Sequence, residues 1–192
     1  MPGWNRSGSS GRTRSTTWQG IWRNRAGRPR RASMAETSAV QPALLRLARL
    51  FPVSTDRLFQ ALMNEAEVAA WLHPAGMTCA ECRWPARVGT NWRLVLVNSD
   101  GRRFPVGGRF LEIVPSRLVR LTWIWEEHDY AGIETIATLS VEPKAEGTLL
   151  TLEQQGLPDE KARRAHAQGF GASLDNLSQH VRSTTSREGA KA

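Results

Sequence analysis

Two cysteines in a Cys-x-x-Cys pair, Cys79 and Cys82, have the types and spacing most typical of metal-binding or redox chemistry. A structural zinc site needs four ligands, and the sequence has no second pair. A thioredoxin-like pair lies at a helix amino-terminus, whereas this pair falls on a predicted strand, where a spacing of three sends the side chains to opposite faces. We therefore predict two ordinary thiols, as suits a reducing, cytoplasmic compartment.

The histidine with the best placement for chemistry is His166, which lies on the apolar face of a predicted helix. Such a histidine is often a hydrogen-bonded core residue. It can also lie inside a cavity, where it orients a ligand or moves a proton. Both alternatives stay open. His73, next to Pro74, is expected to be a solvated loop residue rather than a gate.

The other polar clusters predict no site. Residues 126–129 (Glu126, Glu127, His128 and Asp129) fall between strands and are expected to form a solvated turn rather than a metal site. The sequence contains no phosphate-binding glycine loop, nucleophile elbow or paired zinc motif. We expect neither a metal nor a cofactor.

Four of the eight tryptophans allow two interpretations. They could pack the core, or they could line a pocket, because large apolar walls with few polar groups suit a hydrophobic ligand. These residues are Trp71, Trp92, Trp123 and Trp125.

Apolar periodicity predicts the elements that position these groups. A strand over 44–51 precedes a helix capped by Ser54 or Thr55 and a second short helix over 65–72. A long helix begins near Asp159 and carries an apolar stripe to Val181. The remaining strands are predicted over 77–84, 90–97, 102–114, 118–126, 133–142 and 148–154.

This order of elements predicts an α+β helix-grip fold. A meandering antiparallel sheet of about six to seven strands has one apolar face. The last helix carries the only long apolar stripe, so helix and sheet must bury each other. A curved sheet closed by one helix, with two short helices at its mouth, usually leaves an elongated internal space.

The positive charge of the chain lies mainly at its start. The 192 residues have a formal net charge of +8, and residues 1–33 contain eight arginines and no acid. Residues 34–181 carry 15 basic and 17 acidic side chains. The folded domain is therefore not expected to bind nucleic acid. The sequence has no apolar run long enough to span a membrane, which takes about 18 residues.

We predict one domain with two tails. Residues 1–40 are expected to be disordered, because they are rich in Arg, Gly and Ser. Met34 is a plausible true start; an inert tail and a binding or targeting segment are the alternatives. The domain is predicted over 41–182, with a disordered tail over 183–192.

Short motifs occur in a fixed order between residues 44 and 181. They are Pro52–Phe59, Trp71-Leu72-His73-Pro74, Arg87-Val88-Gly89 with Trp92, Asp100-Gly101, Gly108 to Pro115, Leu118 to Trp123, Gly147 to Leu152, and His166 to Phe170. Together they resemble the START-like (SRPBCC) superfamily and, within it, the activators of heat-shock protein 90 ATPase homologues.

The resemblance implies a helix-grip fold and leaves three functions open. Stand-alone members resemble small-ligand binders, so the leading hypothesis is a cytoplasmic protein that holds a hydrophobic or aromatic molecule without a cofactor. The superfamily includes polyketide cyclases, so an enzyme using His166, with Thr135 or Arg93, is the second. The family name comes from co-chaperones with an additional amino-terminal domain, for which residues 1–43 are too short and polar. A chaperone partner is the third hypothesis, and a homodimer is compatible with all three.

The ligand-binding hypothesis predicts a site between the sheet and the last helix, near the mouth at Trp71. The resemblance favours a cavity-facing position for His166 and the aromatic residue after it. The predicted site residues are Trp71, Trp92, Leu121, Trp123, Trp125, His166, Phe170 and Leu174.

Overall fold

Seven strands and three helices make up the part of the chain that the structure describes. The computed structural model describes residues 43–127 and 129–189. The predicted tail over 1–40 and the start at Met34 lie outside these residues. The elements in chain order are β1 (Ala43–Phe51), α1 (Thr55–Met63), α2 (Glu65–Trp71), β2 (Met77–Arg83), β3 (Asn91–Asn98), β4 (Arg103–Val114), β5 (Leu118–Trp125), β6 (Thr135–Lys144), β7 (Gly147–Leu157) and α3 (Glu160–Gly189).

The strands form one curled antiparallel sheet in the order β1-β7-β6-β5-β4-β3-β2. Strands β2 to β7 follow one another as a meander, and β7 returns to pair with β1. Helix α3 packs on the apolar face, and α1 and α2 close one end. This is the predicted helix-grip α+β fold.

Side-chain alternation places the apolar residues of the strands as predicted. Trp92, Leu94 and Leu96 of β3 are all buried. Several boundaries differ from the prediction, and those of β6 and β7 shift by two or three residues. Strand β6 begins at Thr135, so Ile133 lies outside it and is 36% exposed. Strand β7 runs past Gly156, whose positive φ of 86° lets the strand bend beside Thr135 without ending.

The two short helices are joined by a single shared cap. Ser54 accepts a hydrogen bond from the Arg57 amide at the start of α1. Asn64 ends α1 and caps α2, because its side chain accepts from the Glu67 amide at 3.1 Å. Trp71 Nε1 then donates to the carbonyl of Ala61 at 2.9 Å. These bonds tie α2 to α1, so both helices are held as one lid over the end of the sheet.

Helix α3 carries the predicted stripe. Asp159 precedes it and accepts from the Ala162 amide at 2.6 Å, which satisfies a free amide of the first turn. The stripe positions are buried down to Val181. The helix continues to Gly189, beyond the domain boundary predicted at 182. The boundary was placed where the apolar stripe ends, but a helix can extend past its buried face.

The cysteine pair departs from the sequence prediction. Cys79 pairs with Leu96, whereas Cys82 pairs with Leu94, and the register shifts between Cys79 and Glu81. Ala80 is the extra residue of a β-bulge, which reverses the alternation that follows it. Both cysteines therefore lie on the same face of β2, and the prediction of opposite faces was wrong.

Candidate functional site

A chain of buried polar groups crosses the apolar interface between the sheet and α3. Trp125 Nε1 donates to His166 Nε2 at 3.2 Å. His166 Nδ1 lies 2.7 Å from Gln154 Oε1, and Gln154 Nε2 donates to Thr135 Oγ1 at 2.7 Å. Thr135 Oγ1 donates to the Trp123 carbonyl at 3.0 Å. This chain of hydrogen bonds therefore begins and ends on β5 and passes through helix α3 and strands β6 and β7.

This chain fixes the tautomer of His166. An indole N–H is only a donor, so Nε2 must accept, and the ring proton must lie on Nδ1. Burial lowers the pKa of His166 to about 4, so the ring is neutral near pH 7. Because both nitrogens are bonded inside the protein, His166 has no free lone pair or proton to offer a ligand. These two hydrogen bonds hold the side chains of Trp125 and Gln154 in position, and they leave His166 without the free nitrogen that an acid or base needs.

The buried imidazole predicts a loss of stability in mild acid. The unfolded state takes up a proton near pH 6.5, whereas the folded state does so only near pH 4. The unfolding free energy should therefore be unaffected by this group above pH 6.5. It should fall by up to about 3 kcal/mol on going down to pH 4. Urea unfolding across this range should show a shallower loss for His166→Gln, whose side chain does not titrate; equal slopes in the two proteins would contradict this.

Three small apolar cavities lie along the helix–sheet interface, and Trp123 borders all of them. The two larger have volumes of about 20 Å³ each and the third about 10 Å³. The rings of Trp123 and Phe170, with centroids 5.0 Å apart, separate the two larger ones. Instead of the one elongated internal space that was expected, the structure has three separate spaces, each of which holds no more than about one water.

Six of the eight predicted site residues border these cavities. Trp92 and Leu174 are buried but border none of the three, so they pack the core around them. Trp123 Nε1 is buried and has no hydrogen-bond partner in the part of the chain that the structure describes. The six bordering residues are Trp71, Leu121, Trp123, Trp125, His166 and Phe170.

Gln154 is the central residue that the sequence analysis missed. Its side chain is fully buried and joins His166 to Thr135. It shares the parity of buried Leu150 and Leu152, which could have revealed it. Thr135 does face inward, whereas Arg93 lies on the outer face and is bonded to Glu126.

His73 lies at the mouth and is held by helix α3. The amide of Asn176 donates to the His73 carbonyl at 2.9 Å and lies 3.2 Å from His73 Nδ1. His73 is partly buried rather than solvated, so it anchors the end of α2 to α3.

A larger, open depression of about 810 Å³ lies on the outer face of the sheet. Gly107 and Gly108 of β4 are among the residues that line it. Its charged rim includes Arg93, which bonds Glu126 at 2.6 Å and Glu81 at 3.2 Å. These ion pairs are exposed and mutually satisfied, so the depression offers weaker selection for a ligand than the apolar interface.

Within residues 43–127 and 129–189, no three His, Cys, Asp or Glu side chains are grouped so that they could hold a metal ion. No helix in the same part of the chain is long and apolar enough to cross a membrane.

Comparison with known proteins places the chain among its relatives. Residues 52–182 match the sequence profile described as Activator of Hsp90 ATPase homolog 1-like protein. The chain belongs to this family. The matched region begins just after β1 and takes in all the remaining strands and the buried part of α3, so every residue of the polar chain lies within it.

Solved structures agree with the family assignment. The AHSA1 protein from Silicibacter pomeroyi is 30% identical with a TM-score of 0.68, over 73% of this chain and 98% of that one. A protein from Chromobacterium violaceum is 28% identical with a TM-score of 0.65, over 72% and 96%. DynU16, a protein in the dynemicin biosynthetic locus, is 16% identical with a TM-score of 0.59, over 72% and 47%, and shares the fold alone. No curated protein sequence matches the chain significantly.

Proposed function

We propose that this protein binds a small aromatic or acyl molecule between the sheet and helix α3, and that the ligand carries a hydrogen-bond acceptor. The observation that carries the proposal is the row of three apolar cavities separated only by side chains, with Trp123 in the wall of each. Joining them makes one elongated apolar space between the sheet and helix α3.

Binding requires the rings of Trp123 and Phe170 to move apart, because neither cavity alone admits more than water. Helix α3 is locally suited to such a movement. Gly169 and Gly171 flank Phe170, and each glycine weakens a helix by about 1 kcal/mol relative to alanine. A ligand that fills the joined space would repay the displacement through apolar contact.

The unpartnered indole of Trp123 supplies the polar preference. A buried donor without a partner costs about 1–3 kcal/mol, and a ligand acceptor would remove this cost. Of the other polar side chains that border the cavities, Trp125, His166 and Thr135 are bonded within the chain through His166, and Ser173 donates to the Gly169 carbonyl. The site therefore favours a ketone, ester or ether over a hydrocarbon of the same shape.

Isothermal calorimetry with 2-acetylnaphthalene and 2-isopropylnaphthalene tests this preference. The ketone should bind more tightly, and Trp123→Phe should raise its Kd roughly tenfold while changing the hydrocarbon less. Trp92→Phe is the matched control, because Trp92 also has a buried, unpartnered Nε1 but borders none of the three cavities. It should leave the difference between the two ligands intact.

If neither molecule binds saturably, the proposal is overturned. Activation of a chaperone ATPase, which the family description names, would then be the hypothesis to test. Equal loss of ketone binding in Trp92→Phe and Trp123→Phe would retain an apolar site but reject Trp123 as its donor.

A further inference from the structure

The β-bulge at Ala80 places both cysteines of the chain on the same face of β2. Their partners on β3, Leu96 and Leu94, are two residues apart. Two steps along a strand span about 6.6 Å, so the Cα atoms of Cys79 and Cys82 should be separated by about that distance. Cα separations in disulfides usually fall between about 4.4 and 6.8 Å. A regular strand with the same spacing would separate the two thiols onto opposite faces.

The two thiols also interact and can be reached. Both cysteines are free and half-buried on β2, which is an edge strand of the sheet. When Cys79 ionises, a hydrogen bond from Cys82 stabilises its thiolate, which lowers the pKa of Cys79, and the same contact raises the pKa of Cys82. Cys79 is therefore the thiol that ionises first, and it is the better nucleophile of the pair.

We propose that Cys79 and Cys82 form an oxidisable dithiol that closes to a disulfide by exchange with a low-molecular-weight disulfide such as oxidised glutathione. The Cys79 thiolate attacks one sulfur of the reagent, forms a mixed disulfide and releases one thiolate. Cys82 then loses its proton and attacks Cys79 Sγ, which releases the second thiolate. The two protein thiols are oxidised, and the reagent is reduced to two thiols.

Closure changes a contact between β2 and the lid formed by α1 and α2. In the dithiol form, Cys82 Sγ donates to the carbonyl of Glu65, the first residue of α2, at 3.5 Å. Forming the disulfide turns Cys82 Sγ toward Cys79 and removes this donor. The Glu65 carboxylate still accepts from the Trp84 amide at 2.7 Å, so the lid stays attached while one of its bonds is lost.

The test is to equilibrate the full chain with mixtures of oxidised and reduced glutathione, quench with acid, block free thiols with a maleimide and measure the intact mass. The expected product is a monomer that has lost two hydrogen atoms and takes up no maleimide. Each of Cys79→Ser and Cys82→Ser should instead stop at one glutathione adduct.

The control is the double variant Cys79→Ser with Thr78→Cys, which keeps two thiols but moves one to the outward position opposite Val97. It should not close. If the unsubstituted protein gives nothing but glutathione adducts or cross-linked dimers, the proposal is overturned. Equal closure in the double variant would also overturn it, because the bulge register would then be irrelevant. The product formed by the unsubstituted protein tests the proposal even if the double variant fails to fold.

Discussion

Replacing Phe170 with alanine should lower the free energy of unfolding by about 3–5 kcal/mol. Phe170 is 6% exposed and lies in the middle of the α3 stripe, with its ring against Trp123 and His166. Its removal takes away these contacts and joins two cavities, and the surrounding sheet is too well braced to collapse into the space. Urea unfolding of the variant and the original chain measures the difference.

Phe59→Ala is the matched control, because Phe59 is only partly buried and should cost clearly less. Benzene should recover part of the Phe170→Ala loss, since an engineered apolar cavity takes up apolar molecules. A cost below about 1 kcal/mol for Phe170→Ala would show that the ring borders open space rather than a packed interface.

Gly108→Ala should destabilise the fold by about 3 kcal/mol or more, because there is no room for a β-carbon on β4 at this point. An added Cβ would lie 1.9 Å from the carbonyl oxygen of Thr122 on β5. The oxygen belongs to the backbone of β5, and the backbone of β4 fixes the position of the Cβ, so neither can move without disturbing the pairing of β4 with β5. The bond from the Arg109 amide to Thr122 Oγ1 at 2.9 Å would be lost with it. Thermal unfolding should show the change directly.

Gly171→Ala makes the same chemical change where no atom lies within 4 Å of the added carbon. It lies inside α3, so it should stabilise the chain by about 0.5–1 kcal/mol. Similar destabilisation by both substitutions would refute the steric explanation for Gly108.

The fold could be predicted from the sequence because its strands obey simple alternation. Leu94 and Leu96 on β3, and Leu121 and Trp123 on β5, are buried as the period of two requires. The last helix carries an apolar stripe from Ala162 to Val181, so it had to lie against the apolar face of the sheet. Each of these patterns extends over many residues, so a single exception does not obscure it.

The bulge at Ala80 could not be predicted, because nothing in its side chain marks it. A bulge is set by how β2 fits against β3 and α2, which are contacts distant in sequence. One extra residue was enough to reverse the predicted facing of Cys82. A local alternation rule therefore fails where tertiary packing adds a residue to one strand.

The sequence predicted which side chains meet between the sheet and helix α3, but not how they pack there. Trp123, His166 and Phe170 do meet at the interface, since helix and sheet each present one apolar face. The sequence could not show that Gln154 would hydrogen-bond to Nδ1 of His166, because this bond depends on how helix α3 packs against strand β7. It also could not show how completely the rings would fill the space.

The tryptophans of the interface form a continuous series of neighbouring indoles. The ring centroids of Trp84 and Trp92, and of Trp92 and Trp123, are 5.1 Å apart, and those of Trp123 and Trp125 are 6.0 Å apart. The rings are tilted by 48° to 75°, so their electronic transitions are close and not parallel. Such indoles share excitation, and their coupled bands give a circular-dichroism couplet that lone tryptophans lack. The couplet depends on both the spacing and the tilt of these four rings, three from strands β3 and β5 and one from the segment after β2, so it is an optical measure of side-chain order at the site. Any molecule that rotates Trp123 must therefore change the spectrum even where it leaves the helices and strands intact.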